Sequence, residues 1–406
     1  MEAVLEKPQE GTPLVVKLGT KSLKQALDKL TRVVPGRPSN PTLAHVALTP
    51  TYGTLVLAAS DGERDLELQI PADATPGPTR LVPAALFHRV AGSIAASEVT
   101  LTVTEDRLAV EGGGFQTELY LMEAGEELPL DFEGEPLLTA PANAIAGIFE
   151  QVLYAVSNEE YRAIFRGAQL EVHPDRLRAV ASDGFRLALA ERELPEGIVV
   201  TLPKEAEEAA DTEDAEDTEG AEETQAAPEE PFAFVTPKRS LIELLRLLPP
   251  GGAPVELRHR RGRLVVVTED VRYATALLEG VYPDYRRPIP DEFVAVAEVE
   301  AKPLREALRR VLVLADAANA RVDLTFEEGR LRLVSEADYG RGEEVVELAS
   351  YQGEPLTVVL NGRYLDDALQ PVDATARLEL SGPVSSMVVR DTGDAGYLAV
   401  VVPMRV

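Results

Sequence analysis

The chain has 406 residues, 45% hydrophobic and 27% charged, enough to bury several cores in two to four domains. It holds no cysteine, which excludes disulfide frameworks, thiol nucleophiles and thiolate-ligated zinc and fits a reducing, cytoplasmic setting. No basic-then-apolar leader and no apolar run of bilayer-spanning length occurs, so the protein is expected to be neither secreted nor membrane-bound, and a net charge of −29 argues at face value against nucleic acid.

Residues 1–13 read as a mobile extension, after which one pattern of elements recurs three times. It begins with an amphipathic helix at residues 22–34, 143–156 and 302–315, the first two opening on a Ser or Asn suited to capping. A strand, a turn and a strand follow from Leu55, Leu177 and Leu331, with Asp61-Gly62 and Asp183-Gly184 as turn signals. A second helix is predicted at 83–94, 237–248 and 361–372, and closing strands at 99–122, 255–278 and 376–402. The two Ala-Ser-Asp-Gly turns lie 122 positions apart. The chain therefore reads as three copies of one α+β domain, near 14–133, 134–289 and 290–406, each with two helices covering antiparallel sheets. Residues 204–230, inside the second copy, hold 13 acidic residues and one basic one and are expected to form a disordered loop. Without that stretch the net charge is −17. In the third copy alone the closing strand runs to a free apolar end, 398–406, stopped by Pro403 and carrying the adaptable side chain of Met404.

The positive charge is unevenly spread. On the helix at 302–315, Leu304, Leu308 and Val311 form one stripe and Lys302, Arg305 and Arg309 another, at i, i+3 and i+7. Across the three copies eleven bases stand on such helices: Lys21, Lys24, Lys29, Arg32, Lys238, Arg239, Arg246, Lys302, Arg305, Arg309 and Arg310. Only three acids accompany them, Asp28, Glu243 and Glu306. Lys and Arg are also good helix formers on any solvated face. Their recurrence on one helix in each of three copies favours a shared ligand instead. His45, His88, His173 and His259 lack metal-ligand spacing, and no phosphate loop or nucleophile elbow occurs, so no catalytic site, metal or cofactor is expected. Gly112 to Gly114 reads as a turn or bulge.

The segments Ser182-Asp183-Gly184-Phe185-Arg186-Leu187, Pro237 with Leu241-Ile242-Glu243-Leu244, Tyr282-Pro283-Asp284-Tyr285-Arg286-Arg287 and Pro403-Met404-Arg405-Val406 together resemble the bacterial β sliding clamp, the processivity subunit of the replicative DNA polymerase III. The resemblance covers about Leu14 to Val406. It implies three tandem clamp domains that close head to tail, as a homodimer, into a ring around duplex DNA. Its partners would be DNA of any sequence, the catalytic subunit of DNA polymerase III, the clamp loader, and other polymerases and repair proteins bound through short peptides; no membrane partner is implied. The implied peptide groove comprises Phe165, Ser182, Gly184, Phe185, Arg186, Leu187, Pro237, Leu241, Val384, Ser386, Val400, Val402, Pro403, Met404 and Arg405, an apolar slot with Arg186 and Arg405 at its rim. Arg37, in Gly36-Arg37-Pro38, would join the helical bases in facing DNA. The dimer junction would pair Thr117 and Leu119 with Val313 and Leu314. This chain has Phe185, Ser182, Val402 and Val406 where the family commonly has His, Thr, Met and Leu, which bears on the peptide preferred. A basic lining inside an acidic body suits sequence-blind sliding. Two other readings compete: an acidic three-repeat adaptor that binds peptides but not DNA, and, more distantly, a hydrolase using a carboxylate pair in one cleft.

Overall fold

Along the chain, one order of elements (strand, helix, four strands, helix, three strands) is met three times in the computed structural model, which describes residues 13–123, 125–195, 198–201, 231–338 and 340–404. The first repeat runs β1 (Leu14–Gly19), α1 (Thr20–Leu30), β2 (His45–Thr51), β3 (Thr54–Ser60), β4 (Arg64–Pro71), β5 (Arg80–Pro83), α2 (Ala84–Ser93), β6 (Glu98–Val103), β7 (Arg107–Gly112) and β8 (Phe115–Tyr120). The second runs β9 (Glu135–Pro141), α3 (Ala142–Val152), β10 (Gly167–Val172), β11 (Arg176–Ser182), β12 (Arg186–Glu193), β13 (Phe232–Pro237), α4 (Lys238–Leu247), β14 (Pro254–Arg260), β15 (Arg263–Val267) and β16 (Val271–Ala276). The third runs β17 (Ala295–Glu300), α5 (Ala301–Leu312), β18 (Arg321–Glu327), β19 (Arg330–Ala337), β20 (Gly340–Glu347), a short extra β21 (Ser350–Gln352), β22 (Leu356–Asn361), α6 (Gly362–Ala368), β23 (Thr375–Leu380), β24 (Met387–Asp391) and β25 (Tyr397–Val401). Most of the expected extension at 1–13, the acidic stretch 204–230, and Arg405 and Val406 lie outside the described residues.

The six expected helices are present, but the capping expected of Ser22 and Asn143 is not. Both residues sit inside their helices, which start directly from the preceding strand with no side-chain cap. Neighbouring backbone satisfies the first N–H groups instead. Thr20 N donates to Ser97 O, Ala142 N to Ala253 O and Ala301 N to Ala374 O, at 2.8 to 2.9 Å. A carbonyl from the loop before the closing strands thus replaces the side-chain oxygen, the same device in each repeat. Asn361, by contrast, does cap α6, its side chain accepting from Arg363 N.

The ladders described, β4–β16 and β12–β25 among them, are antiparallel, and the sheets bind consecutive repeats together. The second-repeat sheet β9-β14-β15-β16 continues the first-repeat sheet β5-β2-β3-β4 through the β4–β16 ladder, where Arg64 lies opposite Thr275 and Leu68 opposite Val271. In the same way β12 pairs with β25, with Arg186 opposite Val401 and Ala190 opposite Tyr397. The terminal strand is therefore held from both sides, by β24 of its own repeat and by β12 of the preceding one. Two sheets have no such continuation, β1-β6-β7-β8 and β20-β19-β18-β22. Because ladders cross repeat boundaries, the chain divides by compactness into two units. One holds residues up to Leu138 with 246–249 and 254–276, the other Thr139–Leu245, Pro250–Ala253 and Leu277 onward. In the second unit the apolar stripe of α5, Leu304, Leu308 and Val311, is buried with Val322, Leu324, Phe326, Leu360 and Leu365.

Candidate functional site

The turn at Ser182-Asp183-Gly184 builds one side of a cleft by local hydrogen bonding. Asp183 Oδ1 accepts from the backbone N–H groups of Phe185 (2.9 Å) and Arg186 (3.1 Å), and Ser182 Oγ accepts from Gly184 N and donates to Arg186 O. Gly184 supplies the left-handed conformation, φ +87°, which a side chain would strain. Ser60, Asp61 and Arg64 repeat the bonds to Gly62 and Arg64 in the first repeat, so the turn is a property of the Asp-x-x-Arg spacing.

Beside this turn lies a cleft of about 180 Å³ lined by Phe165, Ser182, Gly184, Arg186, Leu187, Val400 and Val402. Leu187 and Val400 face each other across the β12–β25 ladder and form its floor. The facing wall is Tyr282, Pro283, Asp284 and Tyr285, from a motif the sequence showed but did not assign to the groove, with Pro288 just after it. Phe165 meets Tyr282 edge to face, ring centroids 5.6 Å apart. Tyr285 anchors the wall, donating to Glu171 Oε2 and accepting from Arg178 Nη1, each at 3.0 Å. Burial, then the charge of Glu171, pushes its phenol up to about 12, and burial raises the Tyr282 phenol as well.

Arg405 is outside the described residues, and Phe185, Pro237, Leu241, Val384, Ser386, Pro403 and Met404 do not line this cleft. Phe185, 47% exposed, stacks on Tyr364 with centroids 6.4 Å apart, and the Arg162 guanidinium lies 5.2 Å from its ring centre. Pro237 precedes α4, and Leu241 is fully buried within that helix. Val384 and Ser386 stand on the loop before β24, Val384 being exposed. Pro403 and Met404 continue β25, with Val402 N donating to Phe185 O (3.0 Å) and Met404 N to Val359 O (2.8 Å). Arg186 is not a free cation at a rim. Its guanidinium bonds Asp183 and, at 2.5 Å, Asp367 of α6, and lies 4.5 Å from the Tyr364 ring centre. With Arg186 largely buried and Asp367 partly exposed, this ion pair ties β12 to α6.

The helical bases also divide by what they touch. Lys21, Arg32 and Arg37 are exposed and Lys29 is half-buried, whereas Lys24 Nζ donates to Ile94 O (2.8 Å) at the end of α2. Arg239 and Arg246 are exposed on α4. Lys238 Nζ turns to Val156 O and Asn158 Oδ1, and burial, then the charge of Arg186, lowers its pKa. On α5, Lys302 is exposed, and Arg305 and Arg309 share Asp366. Arg310, off that stripe, pairs with Glu344 on β20.

Of the expected junction residues, Val313 and Leu314 are exposed after α5, and Leu314 lies beside Gly340 and Gly342 of β20. Thr117 is half-buried on β8. Leu119 differs: only 7% exposed, it belongs to the core of its own repeat, while Phe115, Tyr120 and, on β20, Val345 are the exposed apolar groups.

Models of the DNA polymerase III beta subunit match the chain in three parts: the N-terminal domain over residues 15–126, the central domain over 139–214 and the C-terminal domain over 286–405. The beta sliding clamp of Synechococcus elongatus is 31% identical over 394 residues, covering 94% of this chain and 97% of that protein. That of Haemophilus influenzae is 25% identical, covering 96% and 99%. Solved sliding clamps of Pseudomonas aeruginosa (23% identical, TM-score 0.84) and Bacillus subtilis (20%, TM-score 0.83) each cover 97% of this chain and 100% of their own, and share its fold. The chain belongs to the β sliding clamp family, the β subunit of DNA polymerase III, and its function is that of a DNA sliding clamp.

Proposed function

We propose that two copies close head to tail into a ring, β8 of each pairing with β20 of the other, around duplex DNA that the helical bases attract without reading its sequence. The carrying observation is the pattern of used edges. The strand after the Asp-x-x-Arg turn pairs with the last strand of the next repeat twice, as β4–β16 and β12–β25. The same positions left over are β20, which follows Asp338 and contains Arg341 in that spacing, and β8, last of its repeat. An unpaired edge seeks a partner, and one heterologous junction repeated by a twofold axis closes a ring. Phe115, Thr117 and Tyr120 on one side and Val313, Leu314 and Val345 on the other supply its contacts, Leu119 adding backbone alone.

The three domains then run near 14–133, 134–289 and 290–406. The cleft at Phe165, Leu187, Val400 and Val402 binds hydrophobic anchors of an extended peptide from the polymerase III catalytic subunit, the clamp loader, and other polymerases and repair proteins. The protein is a cytoplasmic, nucleoid-associated processivity factor with no chemistry of its own. Sedimentation of Val313→Asp with Val345→Asp tests the junction. A buried, unpaired carboxylate costs about 2 kcal/mol or more, and a ring has two junctions, so monomers are expected. An intact dimer refutes the β8–β20 pairing.

A further inference from the structure

In the first and third repeats the two helices touch through one recurrent pair of positions, the ninth residue of the first helix and the fifth of the second. In the first repeat these are Asp28 on α1 and His88 on α2, with His88 Nε2 2.7 Å from Asp28 Oδ1. In the third they are Arg309 on α5 and Asp366 on α6, with Nε 3.2 Å from Oδ2. The acid has changed sides. The second repeat has Glu150 and Ile242 at these positions. Asp366 does more than Asp28, because its other oxygen accepts from Arg305 Nε at 2.9 Å. One carboxylate, 19% exposed, thus holds two of the three cations in the stripe Lys302, Arg305 and Arg309.

We propose that Asp366 is an internal stand-in for a DNA phosphate, competing with the backbone of the encircled duplex for Arg305 and Arg309. Carboxylate and phosphate oxygens offer a guanidinium the same charge-assisted hydrogen bonds, so a phosphate that takes either arginine does so by exchange with Asp366 rather than by new pairing. Exchange lowers the net gain of each contact and keeps both side chains in place when the phosphate leaves. That suits a protein that must let go of each phosphate as it moves. The inference rests on the reading that α5 faces DNA.

The test is fluorescence anisotropy of a labelled 30-base-pair duplex with the full dimer over a range of salt concentration. Thermal melts identify any variant that does not fold, and Asp366→Ser serves as a second neutral substitution. Asp366→Asn should bind more tightly at low salt and steepen the slope of log affinity against log salt by about 0.9 to 1.8, one to two phosphates' worth. Asp366→Glu should keep the parent slope, and Arg305→Gln with Arg309→Gln should make it shallower. Asp28→Asn adds the same single charge without releasing an arginine, and should change the slope by less. A slope for Asp366→Asn equal to that of the parent or of Asp28→Asn overturns the inference. Should the double arginine variant match the parent, α5 does not face DNA, and the reading of the helix fails together with this one. A shallower double variant beside an unmoved Asp366→Asn sinks the stand-in role alone.

Discussion

Replacing Phe165 by Ala separates peptide binding from folding, and the burial of the cleft says by how much. The floor residues Leu187 and Val400 are 3% and 1% exposed in the free protein, so a peptide gains little by covering them again. Val402, 37% exposed, and the partly buried Phe165 are the apolar surfaces still open to a ligand. Truncating one such anchor costs about 2 kcal/mol of binding, about 30-fold in Kd. The lost edge-to-face contact with Tyr282 costs about 0.5 to 1.5 kcal/mol of stability. Leu187→Ala should do the reverse, removing about 2 to 5 kcal/mol of stability with a smaller loss of affinity per folded molecule. Anisotropy with a labelled C-terminal peptide of the polymerase III catalytic subunit, run beside urea unfolding, reads both quantities. A Kd for Phe165→Ala within twofold of the parent would refute the assignment of this cleft.

Three further outcomes are expected. Leu119→Asp should unfold the first repeat rather than only split the dimer, since Leu119 is a core residue; a folded monomer by circular dichroism and sedimentation would contradict this. Gly184→Ala should cost about 1 to 2 kcal/mol of left-handed strain and also displace Arg162 from the Asp183 carbonyl, whereas Gly62→Ala, with open space at its Cβ, should cost the strain alone; equal unfolding midpoints for the two would deny the packing difference. The Arg310 hydrogen bond holds the Glu344 carboxyl below its ordinary value of 4.5, so the contribution of this pair is complete above that value and is lost as pH falls through the depressed one. Glu344→Gln should flatten that part of the acid limb of stability, and an unchanged limb would show that the pair is immaterial.

The repeat was legible because its signals are local. Apolar spacing located six helices, and the Asp-Gly pairs located two of the three equivalent turns. In the third repeat Asp338 and Arg341 keep the Asp-x-x-Arg spacing without the Asp-Gly pair, a signal that marks β20 as the counterpart of β4 and β12. Tertiary contacts were not legible. Ser22 and Asn143 looked like caps, yet the capping carbonyls come from residues 97 and 253, beyond any local pattern. Arg186 read as a rim charge because its partner, Asp367, lies 181 positions away. The Tyr282 to Pro288 wall follows the last strand of the second repeat in sequence but folds back on the repeat through Arg178 and Glu171. The resemblance put Leu119 at the junction without revealing that its side chain is buried.

The most direct test of the ring is retention on DNA with and without an end. Loaded on a nicked circle at moderate salt, the dimer should stay with the DNA through gel filtration and leave it once a restriction enzyme linearises the circle, because topology rather than affinity holds it. Equal retention on the linear form, or loss from the intact circle, would contradict encirclement.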